Sequence, residues 1–142
     1  MTTFEISTGK WFLANGTLFG TGFAGHGDGK NNPDMQGVVG VGPLPIGVYH
    51  AVGMREHDPR TGWYTIVLEP EPMTRNYILS LGRNPDTFRI HGDSMDHTGE
   101  SSDGCMVFDR STRLDFWKGD DKEIHVVTGP KPPQVTSYPR YL

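Results

Sequence analysis

The chain has 142 residues, 19 of them Gly and 11 Pro, so about a fifth of its positions punctuate the backbone rather than fill helix or strand interiors, which excludes a helical bundle. Lys and Arg number 13 against 17 Asp and Glu, giving a net charge of −4, and no basic run can track a phosphate backbone, so nucleic acid is excluded as a partner. No stretch approaches the roughly 18 apolar residues of a membrane helix, and Met1-Thr2-Thr3-Phe4-Glu5 lacks the basic and apolar regions of a secretory signal, so the sequence predicts no membrane insertion and synthesis in the cytoplasm without a signal peptide.

Length and an aromatic content of 7 Phe, 5 Tyr and 3 Trp suit a single domain over 1–142, with an extended tail from about 129 to 142. From Trp11 the chain runs into Asn15-Gly16 and then Thr17-Leu18-Phe19, which predicts a β-hairpin closed by a type I′ turn, whose two central residues both need positive φ. Gly20 to Gly47 is dominated by Gly, Pro, Asn and Asp and reads as a long ordered loop or a flap facing a substrate. Strands are expected at 48–52, 63–69, 77–81 and 87–91, where β-branched and aromatic residues cluster between turn signals. The one helical window, Ser111 to Lys118, is capped by Asp109 and stopped by Gly119. Glu123 to Val127 is the last strand. Short strands broken by Gly and Pro predict a mostly-β sandwich or barrel with one short helix.

The residues that carry chemistry lie between 88 and 108. Alternation along Phe88-Arg89-Ile90-His91 sets Arg89 and His91 opposite Phe88 and Ile90, so His91 emerges beside Gly92 at a strand end, pointing away from the core. After a polar loop, Ser101-Ser102-Asp103-Gly104 leads to Cys105, the single cysteine, and then to the apolar Met106-Val107-Phe108. One cysteine forms no internal disulfide, so the thiol either fills space or reacts. As a nucleophile it needs a base, and imidazole is the side chain with a pKa nearest neutrality. Backbone N–H groups at such a turn lower a thiol pKa and later hold an oxyanion.

The other motifs are weaker. His97 is a second candidate base in a solvated loop. His26, His50, His57 and His125 show no i, i+4 pair and no His-Glu-x-x-His pattern, so no metal site is expected. Gly29-Lys30 lacks the glycine spacing and the hydroxyl residue of a phosphate loop, and no cofactor is predicted. Asp93, Asp96 and Glu100 read as solvated acidic residues, or as contacts for a cation or a substrate amine. His-Gly-Asp occurs twice, at His26 and at His91, and is read as a coincidence of a Gly-rich chain.

His91-Gly92, a polar loop, and Ser102-Asp103-Gly104-Cys105 followed by apolar residues together resemble the active-site signature of the L,D-transpeptidases, cysteine enzymes of peptidoglycan remodelling. Upstream, the run from Gly25 to Gly37, with Gly42-Pro43-Leu44-Pro45-Ile46-Gly47-Val48-Tyr49, is similar to the small branch delivered as type VI secretion effectors. The resemblance spans about residues 15 to 128. It implies a β-sandwich with its site in a cleft, Cys105 as nucleophile, His91 as base, the Gly104 and Cys105 N–H groups as oxyanion donors, Ser102 as the motif's hydroxyl and Gly92 as its loop glycine. The implied substrate is a peptidoglycan stem tetrapeptide, attacked at the carbonyl of the L-centre of meso-diaminopimelate with expulsion of D-Ala. Water as acceptor gives L,D-carboxypeptidase activity, and a D-amino acid gives exchange.

One departure matters. The larger family usually has Ser-His-Gly-Cys followed by Arg, whereas here Asp103 precedes Gly104 and Met106-Val107 follow Cys105, so the contact to the substrate carboxylate is open. Arg89, Gly92 and Asp103 are the substrate-binding candidates. The resemblance further implies type VI secretion machinery as the delivery route, action in the periplasm of a target bacterium, and an immunity protein in the producing cell that covers Cys105. Two other readings are a non-catalytic peptidoglycan-binding or phage-tail module of the same fold, and a thiol protease of ordinary proteins.

Overall fold

In the computed structural model, which describes residues 1–94, 99 and 102–131, all strands are hydrogen-bonded into one mixed sheet flanked by two α-helices. In chain order these are β1 (Thr2–Glu5), β2 (Lys10–Phe12), β3 (Leu18–Thr21), β4 (Phe23–Ala24), β5 (Gly47–Asp58), β6 (Gly62–Pro70), α1 (Pro72–Ser80), β7 (Arg89–His91), β8 (Met106–Val107), α2 (Arg110–Lys118) and β9 (Glu123–Val127). Their order across the sheet is β3-β2-β1-β9-β5-β6-β7-β8-β4. The mostly-β expectation holds, as does the short helix after Cys105, where the Asp109 carboxylate accepts from the Thr112 N–H at 2.8 Å.

The outermost strands of this sheet, β3 and β4, are consecutive in the chain with only Gly22 between them. Two peptide units span at most about 7 Å, so the two edges meet and the sheet is rolled onto itself. Gly22 is the corner. A Cβ there would lie 2.0 Å from the Val107 carbonyl oxygen, and its N–H donates to Gly9 O at 2.8 Å. Inside the roll, Trp11 packs against Phe108 and Phe116 with ring centroids 5.0 and 4.7 Å away. The buried indole N–H is satisfied by Thr2 Oγ1 at 2.9 Å, and that hydroxyl donates onward to Glu123 O at 2.8 Å.

Three local expectations are corrected. The Asn15-Gly16 turn is not type I′, because only Gly16 has positive φ. Leu13 to Gly16 closes by Gly16 N–H to Leu13 O at 2.9 Å, and the Asn15 carboxamide accepts from Thr17 N–H. The strand expected at 77–81 lies largely in α1. Pro72 starts that helix, Thr74 and Ile78 form its buried stripe four residues apart, and the apolar Tyr77 and Leu79 that imitate a strand face outward. The strand at 48–52 runs on to Asp58, through polar residues that hide it. Asp58 closes the β5–β6 tip by accepting from the Arg60 and Thr61 N–H groups and from Arg55 at 2.8 Å. Residues 132–142 of the expected tail lie outside the described residues.

Candidate active site

Strands β7 and β8 run parallel with Ile90 opposite Met106 and His91 opposite Val107. Cys105, one residue before β8, therefore falls on the sheet face that carries Arg89 and His91. Both Cys105 and His91 line a cleft of about 810 Å³, together with Arg55, His57 and Arg60 from the β5–β6 tip and Asp103 from the turn before the cysteine. None of the cleft-lining residues comes from 20–47, the segment expected as a flap. That segment instead packs behind the turn: the Leu44 N–H donates to Gly104 O at 2.8 Å, and the Gly25 N–H to Ser102 Oγ at 2.9 Å.

The Cys105 sulfur is buried and its thiol donates to Thr87 O at 3.6 Å. Burial pushes the thiol up to about 11, further than the Arg89 N–H and the charges of Arg89 and Arg83 draw it down, which corrects the expectation of a thiol acidified by its turn. His91, expected at a strand end pointing away from the core, lines the cleft but is buried there, with only 5% of its surface exposed. Burial lowers its pKa, and the charge of Arg113 lowers it further, against the hydrogen bond to Gly92 that raises it. Gly92 O, 2.8 Å from Nδ1, can only accept, so Nδ1 carries the proton and Nε2 is the basic atom. The resting pair is thus a neutral thiol and a neutral imidazole.

Ser102 is wholly buried and holds the nucleophile turn from inside. Its Oγ accepts from the Gly25 and Gly104 N–H groups at 2.9 and 3.1 Å and donates to Cys105 O at 2.6 Å. The Gly104 N–H is therefore committed to Ser102 and is not presented to an oxyanion. The Cys105 N–H, by contrast, has no hydrogen-bond partner among the described residues. Of the substrate-binding candidates, Arg89 reaches the cleft with Nη1 bonded back to Asp86 O and Phe88 O, and the Asp103 side chain is 77% exposed at its rim. Gly92 serves packing: a Cβ there would stand 2.8 Å from Arg113 Nη2.

Sequence reasoning missed three contributors. His26 donates from Nδ1 to Ser102 O at 2.8 Å, so both His-Gly-Asp triplets border the nucleophile turn, and the repeat was a usable signal. Arg113, buried behind His91, donates to Phe108 O, Trp63 O and Tyr64 O and ties α2 to β6. Arg83 is buried against the turn itself. His50 Nε2 lies 2.9 and 3.7 Å from the carboxylates of Glu71 and Glu123 in a half-exposed cluster, and His57 meets the Trp63 ring edge-on at 4.7 Å. Asp93 lines the cleft and accepts from the Ser94 and Gly99 N–H groups; His97, Asp96 and Glu100 lie outside the described residues.

Two outcomes follow from this packing. Gly92→Ala is expected to cost about 1–3 kcal/mol, because Arg113 is pinned by its carbonyl partners and cannot retreat from the added methyl; urea unfolding measures it. The depressed folded pKa of His91 means that the neutral ring contributes stability above its ordinary value of 6.5 and loses it as pH falls toward the lower folded value. The urea midpoint should therefore drop between pH 7 and pH 5, and His91→Gln should flatten that slope.

Residues 20–130 match the family described as the Tlde1 domain. No curated protein matches the chain.

Proposed function

The chain belongs to the Tlde1 domain family, type VI secretion effectors of L,D-transpeptidase-like character, and from that premise we propose that it is a cysteine enzyme of acyl transfer on peptidoglycan stem tetrapeptides. The observation that carries this reading is the placement of Cys105 and a singly protonated His91 on one sheet face, lining one cleft.

Burial raises the thiol to about 11 and holds the imidazole below its ordinary 6.5, so the pair rests neutral and the proton passes to His91 in the course of the reaction. His91 Nε2 takes the proton as the sulfur–carbon bond forms at the carbonyl of the meso-diaminopimelate L-centre. The Cys105 N–H faces the developing oxyanion. Collapse breaks the carbon–nitrogen bond, and His91 returns the proton to the departing D-Ala amine. Water or the amine of a D-amino acid then attacks the thioester, gives up a proton to His91, and leaves a shortened or exchanged stem with the thiol restored. Arg89 and the exposed cations of the β5–β6 tip, Arg60 foremost, hold the stem carboxylates, the role left open by the absence of Arg after Cys105.

Mass spectrometry of muropeptides incubated with the protein tests this. Loss of one alanine marks the carboxypeptidase outcome, and its replacement by an added D-amino acid marks exchange. Unchanged muropeptides that nevertheless bind the protein would favour the non-catalytic wall-binding reading instead. Acting in the periplasm of a target cell, the enzyme calls for an immunity protein in the producer that covers the cleft. Charge reversal at Arg60 should weaken that protection, and protection by a protein seated elsewhere overturns this part of the proposal.

A further inference from the structure

Arg83, between α1 and β7, is 6% exposed, and its guanidinium is spent on main-chain carbonyls. Nη1 donates to Gln36 O at 2.8 Å and Pro43 O at 2.6 Å, and Nη2 donates to Asp103 O at 3.1 Å. The first two belong to the segment behind the nucleophile turn and the third to the turn itself, so one side chain fastens the two together. Its carbon Cζ also lies 5.1 Å from the centroid of Phe88, a cleft-lining ring. Gly104 makes room for it: a Cβ there would stand 2.5 Å from Nη2, and the backbone φ of +130° is itself strained for any other residue.

No carboxylate among the described residues pairs with this buried cation. The three carbonyls and the Phe88 ring account for a buried donor at this position but supply no opposite charge for the cation, and burying a charge without one is costly. The acidic groups that couple to its charge are the Tyr49 phenol and the Cys105 thiol. Tyr49 is wholly buried, donates its hydroxyl proton to Pro45 O and is held neutral by burial, which leaves the sulfur. The counter-ion absent at rest is the one that appears when Cys105 gives up its proton. A charge fixed in advance that is matched only in the reacting state lowers the barrier rather than the ground state.

We propose that Arg83 is the electrostatic positioning residue of Cys105, clamping the nucleophile turn to the 36–43 segment and holding against that turn a fixed positive charge whose partner is the negative charge that develops on the sulfur as its proton leaves. This rests on Cys105 being the nucleophile.

The test compares wild type, Arg83→Lys and Arg83→Met by the rate at which Cys105 is alkylated, with mass-spectrometric detection, and by muropeptide turnover. Iodoacetamide and iodoacetate, nearly equal in size, separate access from charge. Arg83→Met should slow iodoacetamide by about tenfold, the effect of one pKa unit, and lower the iodoacetate-to-iodoacetamide ratio as well. Arg83→Lys keeps the charge but lacks the fork, so its probe ratio should match wild type while kcat falls by about tenfold or more with KM little changed. A folded Arg83→Met with wild-type rate and ratio overturns the proposal. Should Arg83→Met fail to fold by circular dichroism, Arg83→Lys decides alone, because an altered probe ratio or an unchanged kcat overturns it equally. A wild type that alkylates as expected yet converts no muropeptide defeats the enzymatic proposal above and leaves the electrostatic role of Arg83 standing.

Discussion

Cys105→Ala is expected to abolish muropeptide conversion, lowering turnover by about 10⁴-fold or more, because acyl transfer has no covalent route without the sulfur. The fold should survive. Cys105 follows a turn whose geometry is set by Ser102, Gly104 and Arg83 rather than by the thiol, whose polar contacts are weak ones to Thr87 O and the Arg89 N–H. Removing a single buried sulfur costs about 1 kcal/mol, which a urea titration resolves from global unfolding. Cys105→Ser should be equally silent, since a hydroxyl is far harder to deprotonate than even a thiol near 11. Retained conversion by the Ala variant, measured on the same muropeptides, would remove the thiol from the chemistry and with it the mechanism above.

Ser102→Ala should be the most damaging substitution outside the reacting pair. The hydroxyl joins the Gly25 N–H, the Gly104 N–H and the Cys105 carbonyl in a place with no exposed surface, so its loss leaves two donors and one acceptor without a partner. An orphaned buried group costs about 1–3 kcal/mol; partial relaxation of three such groups gives an expected loss of about 3 kcal/mol, read as a shift of the urea midpoint at unchanged slope. The kinetic effect should be larger than the stability effect implies. Releasing the Gly104 N–H frees the peptide that sets the direction of Cys105, so kcat should fall while the affinity for the stem, which rests on the cleft cations, changes little. An Ala variant with wild-type kcat would mean that Arg83, Leu44 and His26 hold the turn without the hydroxyl.

The legible parts of the molecule were those in which neighbours in sequence are also neighbours in space. Helix α2 announces itself through Asp109 and Gly119, which satisfy its own ends, and β9 through the β-branched Ile124, Val126 and Val127. Cys105 and His91 could be paired from sequence because each stands where a short strand meets a glycine, and parallel pairing of those strands brings them onto one face. What decides the chemistry was less visible. The role of Ser102 depends on Gly25, 77 positions away, and that of Arg83 on Gln36, Pro43 and Asp103, none of which local spacing connects to it. The rise in the thiol pKa is likewise a burial effect, and burial is set by the whole roll of the sheet. Helix α1 was misread because its outward Tyr77 and Leu79 are as apolar as the inward Ile78, which erases the helical period over a short window. The tip of β5 was missed for the opposite reason: its charged residues serve the cleft and carry no apolar alternation.

The strand order governs when in folding the sheet can close. Among the described strands, β9 hydrogen-bonds the β1–β2–β3 group to β5, and its pairing with β1 joins Thr2 to Glu123 across 121 positions. A nascent chain still on the ribosome has written the nucleophile and its base before it has the piece that lets the two halves close. The pairing that closes the sheet thus carries one of the longest loop-closure costs in the fold, and it comes after the strands that bear the cysteine and the histidine have been made.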